Sequence, residues 1–137
     1  MSAWLRCELF PADLDEAVAF YVQVLAFRVA RDDRGADVPY VALERGRVRL
    51  GLAHRPESRD RDQRRPPIGV ELVLEVDDLH ADRDRVTSAG WPLEEDLTVR
   101  PWGLSDFRLL DPAGYYWRLT TQEGGGEPAL AGEAVQG

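Results

Sequence analysis

With 137 residues, 44% of them hydrophobic, and a net charge of −8, the chain has the composition of one acidic globular domain. The acidic balance argues against nucleic acid as the main partner, because binding phosphates requires a basic surface. The sequence shows no signal peptide and no apolar run long enough to cross a membrane. We therefore expect no membrane partner and a cytoplasmic location, which the single cysteine, Cys7, also favours weakly.

The first module is predicted over residues 4–54. Leu5, Cys7 and Leu9 alternate with polar residues, which predicts a half-buried strand and an inert, buried Cys7 thiol. Asp13 has the character of a helix N-cap, with an apolar stripe following at helical spacing. The segment 31–37, RDDRGAD, is predicted as a hairpin turn, followed by strands over 40–43 and 47–53 with a tight turn at Gly46.

Residues 55–67 are charged and end in two prolines, which predicts a solvated linker; a lid is the alternative. The second module, 68–121, is predicted to contain strands over 71–76, 97–99, 107–110 and 115–120 and a helix that Asp78 caps and Gly90 ends. Residues 111–114, DPAG, predict the last turn. The tail, 122–137, is predicted to be disordered because it is rich in Gly, Ala and Glu.

The two modules repeat one pattern. Residues 9–27 and 74–91 each read as an apolar run, Asp-Leu, a helix-like stretch and an aromatic residue, with Asp13 matching Asp78. A repeat of this length predicts two copies of one supersecondary unit, with a site between them.

Alternation along four predicted strands gives each an apolar and a polar face. Plain solvent exposure is the ordinary explanation for a polar face. These faces mix Arg and Glu with aromatic residues, as binding surfaces do, so we favour a concave ligand-binding sheet.

These motifs resemble the vicinal oxygen chelate superfamily, which includes glyoxalase I, extradiol dioxygenases and bleomycin-resistance proteins. The resemblance covers residues 4–121 and rests on Asp13-Leu14, Phe20-Tyr21, Leu25 and Phe27, then on 100–103, RPWG, and 111–115, DPAGY. It is strongest toward the bleomycin-resistance branch. It implies an α+β fold with two βαβββ modules forming a cupped mixed sheet, within a single domain spanning 1–121.

The resemblance also implies four positions that hold a divalent metal in metal-dependent members. Alignment of the repeats places them at Arg6, Gly51, Glu71 and Arg118. Only Glu71 is a suitable metal ligand, and two guanidinium groups would repel a cation. We therefore expect no metal and no cofactor, and a charged network of Arg6, Glu71 and Arg118 in its place.

The expected function is metal-free sequestration of a cationic or aromatic small molecule by a homodimer, without catalytic residues. The predicted ligand-binding residues are Arg6, Glu8, Glu71, Val73, Glu75, Trp102, Tyr116 and Arg118. Glutamates would supply charge, and Trp102 with Tyr116 would supply stacking, although Trp102 could equally plug the core. His54 and His80 are interpreted as surface residues. A metal-dependent lyase, isomerase or dioxygenase, and a ligand-sensing regulatory module, are the alternatives.

Overall fold

A computed structural model describes residues 1–54, 67 and 69–122 of the chain. The chain divides into two compact units, and each contains one of the sequence repeats. Unit 1 also includes Asp111–Tyr115, the turn that connects the last two strands of unit 2.

Unit 1 is a mixed four-stranded sheet with one helix. Its elements are β1 (Cys7–Leu9), α1 (Leu14–Gln23), β2 (Arg28–Asp33), β3 (Tyr40–Arg45) and β4 (Val48–Ala53). The strand order is β1-β4-β3-β2, and only the β1–β4 pair is parallel.

Unit 2 repeats this topology. Its elements are β5 (Leu72–Val76), α2 (Leu79–Ser88), β6 (Glu95–Val99), β7 (Ser105–Leu110) and β8 (Tyr116–Thr121). The order β5-β8-β7-β6, with β5 parallel to β8, is that of unit 1. The predicted α+β fold class with two βαβββ modules is confirmed.

Both helices begin as the sequence predicts. The Asp13 carboxylate accepts a hydrogen bond from the Glu16 N–H at 3.0 Å, and Asp78 accepts one from Ala81 N–H at the same distance. Each aspartate thus satisfies a backbone donor that the first helical turn leaves free. Gly90 follows α2 with a φ of +77°, a conformation that favours glycine at a helix end.

The apolar sheet faces form the two cores in matching registers. In unit 1, neighbouring strands place Leu9, Leu52 and Val41 in one row. In unit 2, the equivalent row is Leu74, Leu119 and Phe107. All six side chains are buried, so the apolar alternation predicted for β1, β4, β5 and β8 marks the buried face of those strands.

The Asp111–Tyr115 turn is anchored in unit 1 by buried polar contacts. The Tyr21 hydroxyl, itself fully buried, donates to Asp111 Oδ2 at 2.5 Å. The other oxygen of Asp111 accepts the N–H groups of Ala113 and Tyr115 at 2.9 and 2.8 Å. These bonds make the predicted turn a rigid Asx-type structure.

Three local predictions are wrong. Residues 31–33 belong to β2 rather than to a hairpin turn, because the turn begins only at Arg34. The first strand is shorter than predicted: Leu5 lies before it and is 80% exposed, and Cys7 is half-buried rather than buried.

Other predictions concern residues outside those that the structure describes. Residues 55–66 carry most of the proposed linker or lid, residue 68 begins the predicted second module, and residues 123–137 carry most of the proposed disordered tail. Neither helix in the described part of the chain is long and apolar enough to cross a membrane.

Candidate functional site

The polar face of unit 2 forms a groove of about 390 Å³. Strand pairing places Val73, Arg118 and Arg108 side by side across β5, β8 and β7. Five of the eight predicted site residues line this groove together with Arg108: Glu71, Val73, Glu75, Trp102 and Arg118. Its volume is in the range typical of small-molecule sites.

A buried carboxylate organises the cations of this face. Asp106 is 1% exposed and accepts hydrogen bonds from Arg100 at 2.8 Å and from Arg108 at 3.3 Å. Arg118 lies 3.9 Å from the same carboxylate. Burial raises the pKa of Asp106, but the hydrogen bonds from Arg100 and Arg108 outweigh it, so the net pKa is below the ordinary value. Asp106 therefore stays ionised and holds the arginines in place.

Glu71 and Arg118 form an ion pair, with 3.0 Å between Arg118 Nη2 and Glu71 Oε1. This is the unit 2 part of the predicted charged network. Arg118 Nε is buried and has no hydrogen-bond partner. Within residues 1–54, 67 and 69–122, no ion pair engages Glu75, an exposed residue, so its carboxylate is the one in the groove that is available to a ligand.

Trp102 lies on the tight turn between β6 and β7. The turn is closed by the hydrogen bonds Arg100 N to Leu104 O and Gly103 N to Arg100 O, both 2.9 Å, and Gly103 has a φ of +98°. Trp102 is 37% exposed and lines the groove, as a pocket wall would. The core tryptophan is instead Trp117, which is 2% exposed.

Tyr116 does not line this groove beside Trp102. It lies beside Arg108: burial lowers the pKa of that guanidinium, but the neighbouring Tyr116 and Asp106 raise it above its ordinary value. Thr120, on the same strand face, is 4% exposed and donates to the Ser105 carbonyl at 2.8 Å. Thr120 lines the groove, whereas the structure brings Tyr116 to Arg108 rather than to the indole.

In unit 1, Glu8 connects two residues of the polar face. Its Oε2 accepts hydrogen bonds from Arg6 Nε at 2.6 Å and from the Tyr40 hydroxyl at 2.8 Å. Burial and the Glu8 hydrogen bond raise the pKa of Tyr40. Gly51 makes the arrangement possible, because a Cβ atom there would clash with Tyr40 Oη and Glu8 Oε2. Tyr40 is not among the site residues predicted from the sequence, although its alternation with Val41 along β3 places it on the polar face.

The strand registers support the alignment of the two repeats. Glu8 lies opposite Gly51 in unit 1, and Val73 lies opposite Arg118 in unit 2. Since Glu8 and Val73 have the same spacing to their helix caps, Gly51 and Arg118 are structurally equivalent.

The residues at the four aligned positions do not fit a divalent metal. Gly51 has no side chain, Arg6 and Arg118 are cations, and Glu71 is already paired with Arg118. In the described part of the chain, no three His, Cys, Asp or Glu side chains are grouped as metal ligands. His54 and His80 are both exposed, in agreement with their interpretation as surface residues.

Residues 4–119 match the family model of the Glyoxalase/Bleomycin resistance protein/Dioxygenase superfamily. The chain belongs to this superfamily. The fold and motif arguments made from the sequence are thereby confirmed at the level of the family. No curated protein matches the sequence at a significant level.

Three solved structures illustrate the range of proteins that share the fold. TioX from Micromonospora sp. ML1 is 23% identical, with a TM-score of 0.71 over 88% of this chain and 98% of its own. A bleomycin-binding protein complexed with bleomycin is 24% identical, with a TM-score of 0.69 over 89% and 100%. Lactoylglutathione lyase from Agrobacterium tumefaciens is 25% identical, with a TM-score of 0.69 over 93% and 98%. A binding protein and a lyase are thus both similar in fold, so function has to be argued from the site.

Proposed function

We propose that this protein binds a cationic aromatic small molecule in the unit 2 groove and sequesters it without chemical change. The observation that carries the proposal is the presence of an exposed indole, Trp102, and a free carboxylate, Glu75, on one groove of about 390 Å³. An aromatic cation would stack on the indole and place its charge near the carboxylate.

The two glutamates of the groove differ in how available they are to a ligand cation. Arg118 neutralises Glu71 at 3.0 Å, so a ligand cation would have to compete with a guanidinium for that carboxylate. Glu75 has no such competitor among the described residues. We therefore assign the main electrostatic contact to Glu75, and to Val73, 38% exposed, an apolar contact with the ligand ring.

The similarity to a bleomycin-binding protein supports this class of function but does not identify the ligand. As parts of the same proposal, the protein would be a homodimer in the cytoplasm, and it would need neither metal nor cofactor. Light scattering after size-exclusion chromatography tests the dimer directly.

Calorimetric titration tests binding with three probes: proflavine, a planar aromatic cation; acridine, its neutral analogue at pH 8; and bleomycin. We expect saturable binding of proflavine with a Kd on the order of 10 μM and much weaker binding of acridine. Trp102→Ala should weaken proflavine binding by roughly tenfold, and Glu75→Gln by roughly fivefold. Glu94→Gln removes the same charge from an exposed residue that does not line the groove and should leave the Kd unchanged.

Equal affinities for acridine and proflavine, or no saturation with any probe, would overturn the proposal. The metal-dependent lyase, isomerase or dioxygenase remains the competing function, since a lyase shares the fold. Metal analysis of the purified protein separates the two, because about one tightly held divalent ion per chain would favour the enzyme.

A further inference from the structure

The polar face of unit 1 forms a second groove, of about 350 Å³, whose charged lining is more cationic than that of the unit 2 groove. Three arginines line it, Arg6, Arg31 and Arg49, against a single described acidic residue, Glu44. This is an unusual local charge for a chain whose net charge is −8. A cationic groove on an acidic protein points to a ligand recognised at short range, because the overall field repels anions.

Most charges around this groove are compensated. Arg6 pairs with Glu8 at 2.6 Å, and Arg31 pairs with Asp33 at 2.8 Å. Glu44 lies opposite Arg49 in the β3–β4 register, yet its carboxylate accepts a hydrogen bond from Arg28 on β2. The nearest cross-strand acid is therefore already engaged by another cation.

Arg49 is the exception. Its Nε atom is buried and has no hydrogen-bond partner, and within the described residues its guanidinium forms no ion pair. A buried N–H donor without an acceptor is unfavourable, and such a group gains most from an incoming acceptor. Because Nε is buried, the half-buried side chain would have to rotate before Nε and one Nη could meet an acceptor in the groove as a fork.

We propose that the unit 1 groove binds a small-molecule carboxylate, with Arg49 as its main ligand through this fork. The planar guanidinium matches the two oxygens of a carboxylate. The other walls suit an apolar body next to that group. Ala42 leaves room, and the Tyr40 ring lies under the Arg31 guanidinium at 5.5 Å. Leu43 and Leu50 border the groove, but their side chains are buried in the core. This site does not rest on the proposed cation binding in unit 2.

The test follows the arginine Nε–H signals by NMR during titration with naphthoate, an aromatic carboxylate. The Arg49 signal is assigned as the one lost in Arg49→Lys, which keeps the charge but removes the fork. We expect a saturable downfield shift of this signal. Arg49→Gln should raise the Kd by roughly tenfold or more, and Arg49→Lys by an intermediate factor.

Arg47→Gln is the matched control. Arg47 is an exposed residue in the turn between β3 and β4, does not line the groove, and carries the same charge. It should change the Kd by less than about twofold. Equal effects of the Arg47 and Arg49 substitutions, or no saturable shift below roughly 10 mM naphthoate, would overturn the proposal.

Two further measurements distinguish a carboxylate from a phosphate ligand and the unit 1 site from the unit 2 site. Inorganic phosphate should bind more weakly than naphthoate, and tighter phosphate binding would overturn the assignment of a carboxylate. Proflavine binding should be unchanged in Arg49→Gln, so a failure of the unit 2 proposal is read independently of this one.

Discussion

The two units share one topology and one register, but the long charged side chains of their polar faces lie on different strands. Across the central row of unit 1, the inner strands contribute Gly51 and Ala42, and the edge strands contribute Glu8 and Arg31. The equivalent row of unit 2 reverses this order, with Arg118 and Arg108 inside and Val73 and Glu95 at the edges, as the strand pairing shows.

This difference has structural consequences. In unit 1, long side chains from the edge strand and from β3 reach over the space that Gly51 leaves. In unit 2, the inner arginines require a buried anion, and Asp106 supplies it. The apolar faces, by contrast, keep equivalent buried rows in both units. The repeated fold thus constrains the core, while the polar faces of the two units carry different side chains.

The largest effect is expected from Asp106→Asn. The substitution removes a buried negative charge and leaves Arg100, Arg108 and Arg118 without their shared counter-ion. We expect a loss of about 3–5 kcal/mol in the free energy of unfolding, measured by urea denaturation. Asp96→Asn is the control, because it breaks the exposed 2.7 Å pair with Arg83 and should have a far smaller effect.

The same variant should change the pH dependence of stability. Because the folded-state pKa of Asp106 is below its unfolded value, its contribution is present above about pH 4 and is lost as pH falls through the folded pKa. The stability gap between wild type and Asp106→Asn should therefore narrow in acid. A gap that stays constant from neutral pH to pH 2 would contradict the assignment of an ionised Asp106.

The fold was largely predictable from the sequence because its signals are local. Asp13 and Asp78 begin helices, and glycines at 46 and 90 adopt positive φ where turns were predicted. β2 was missed since only one of its six residues, Asp33, is even partly buried, so no apolar alternation marks this edge strand.

The site was predictable only in part because its partners meet across strands. Alternation along a single strand predicted the site residues Glu71, Val73 and Glu75. The cluster around Asp106 depends on the pairing of β7 with β8 and on the turn that carries Arg100, and neither is visible in one sequence. The alternation of Asp106 with Phe107 was the available signal.

Tyr21→Phe tests a contact that unit 2 lacks. α1 sends the Tyr21 hydroxyl to Asp111 Oδ2 at 2.5 Å, whereas the equivalent residue of α2 is the buried Val86. Removing this bond to a buried carboxylate should cost about 2 kcal/mol in urea denaturation. Tyr115→Phe is the control: its hydroxyl accepts a neutral N–H from Phe10 at 3.1 Å, so about 1 kcal/mol is expected, and a larger effect than that of Tyr21→Phe would contradict the argument.

Gly51→Ala tests the open position of unit 1. The new methyl group would occupy the space of Tyr40 Oη and Glu8 Oε2, both at the ends of side chains that can move apart. We expect a loss of about 1.5 kcal/mol, mainly from the broken Tyr40–Glu8 hydrogen bond. The raised pKa of Tyr40 should also fall, since exposure relieves the burial and separation removes the Glu8 effect. Spectroscopic titration of tyrosinate measures the Tyr40 pKa, and Tyr40→Phe identifies its signal. An unchanged pKa would show that Gly51 is not needed for the Tyr40–Glu8 hydrogen bond.

The smallest effects are expected where the units are most alike. Asp13→Ala and Asp78→Ala each remove one capping bond of 3.0 Å, so each should cost about 1 kcal/mol. Because the two caps have the same geometry, the two losses should agree within about 0.5 kcal/mol in urea denaturation. The packing behind them differs, as α1 buries four apolar or aromatic residues and α2 buries three that include Asp82. Unequal losses would therefore mean that the cap energy depends on the helix face behind it, and that divergence between the units extends from their polar faces into their helices.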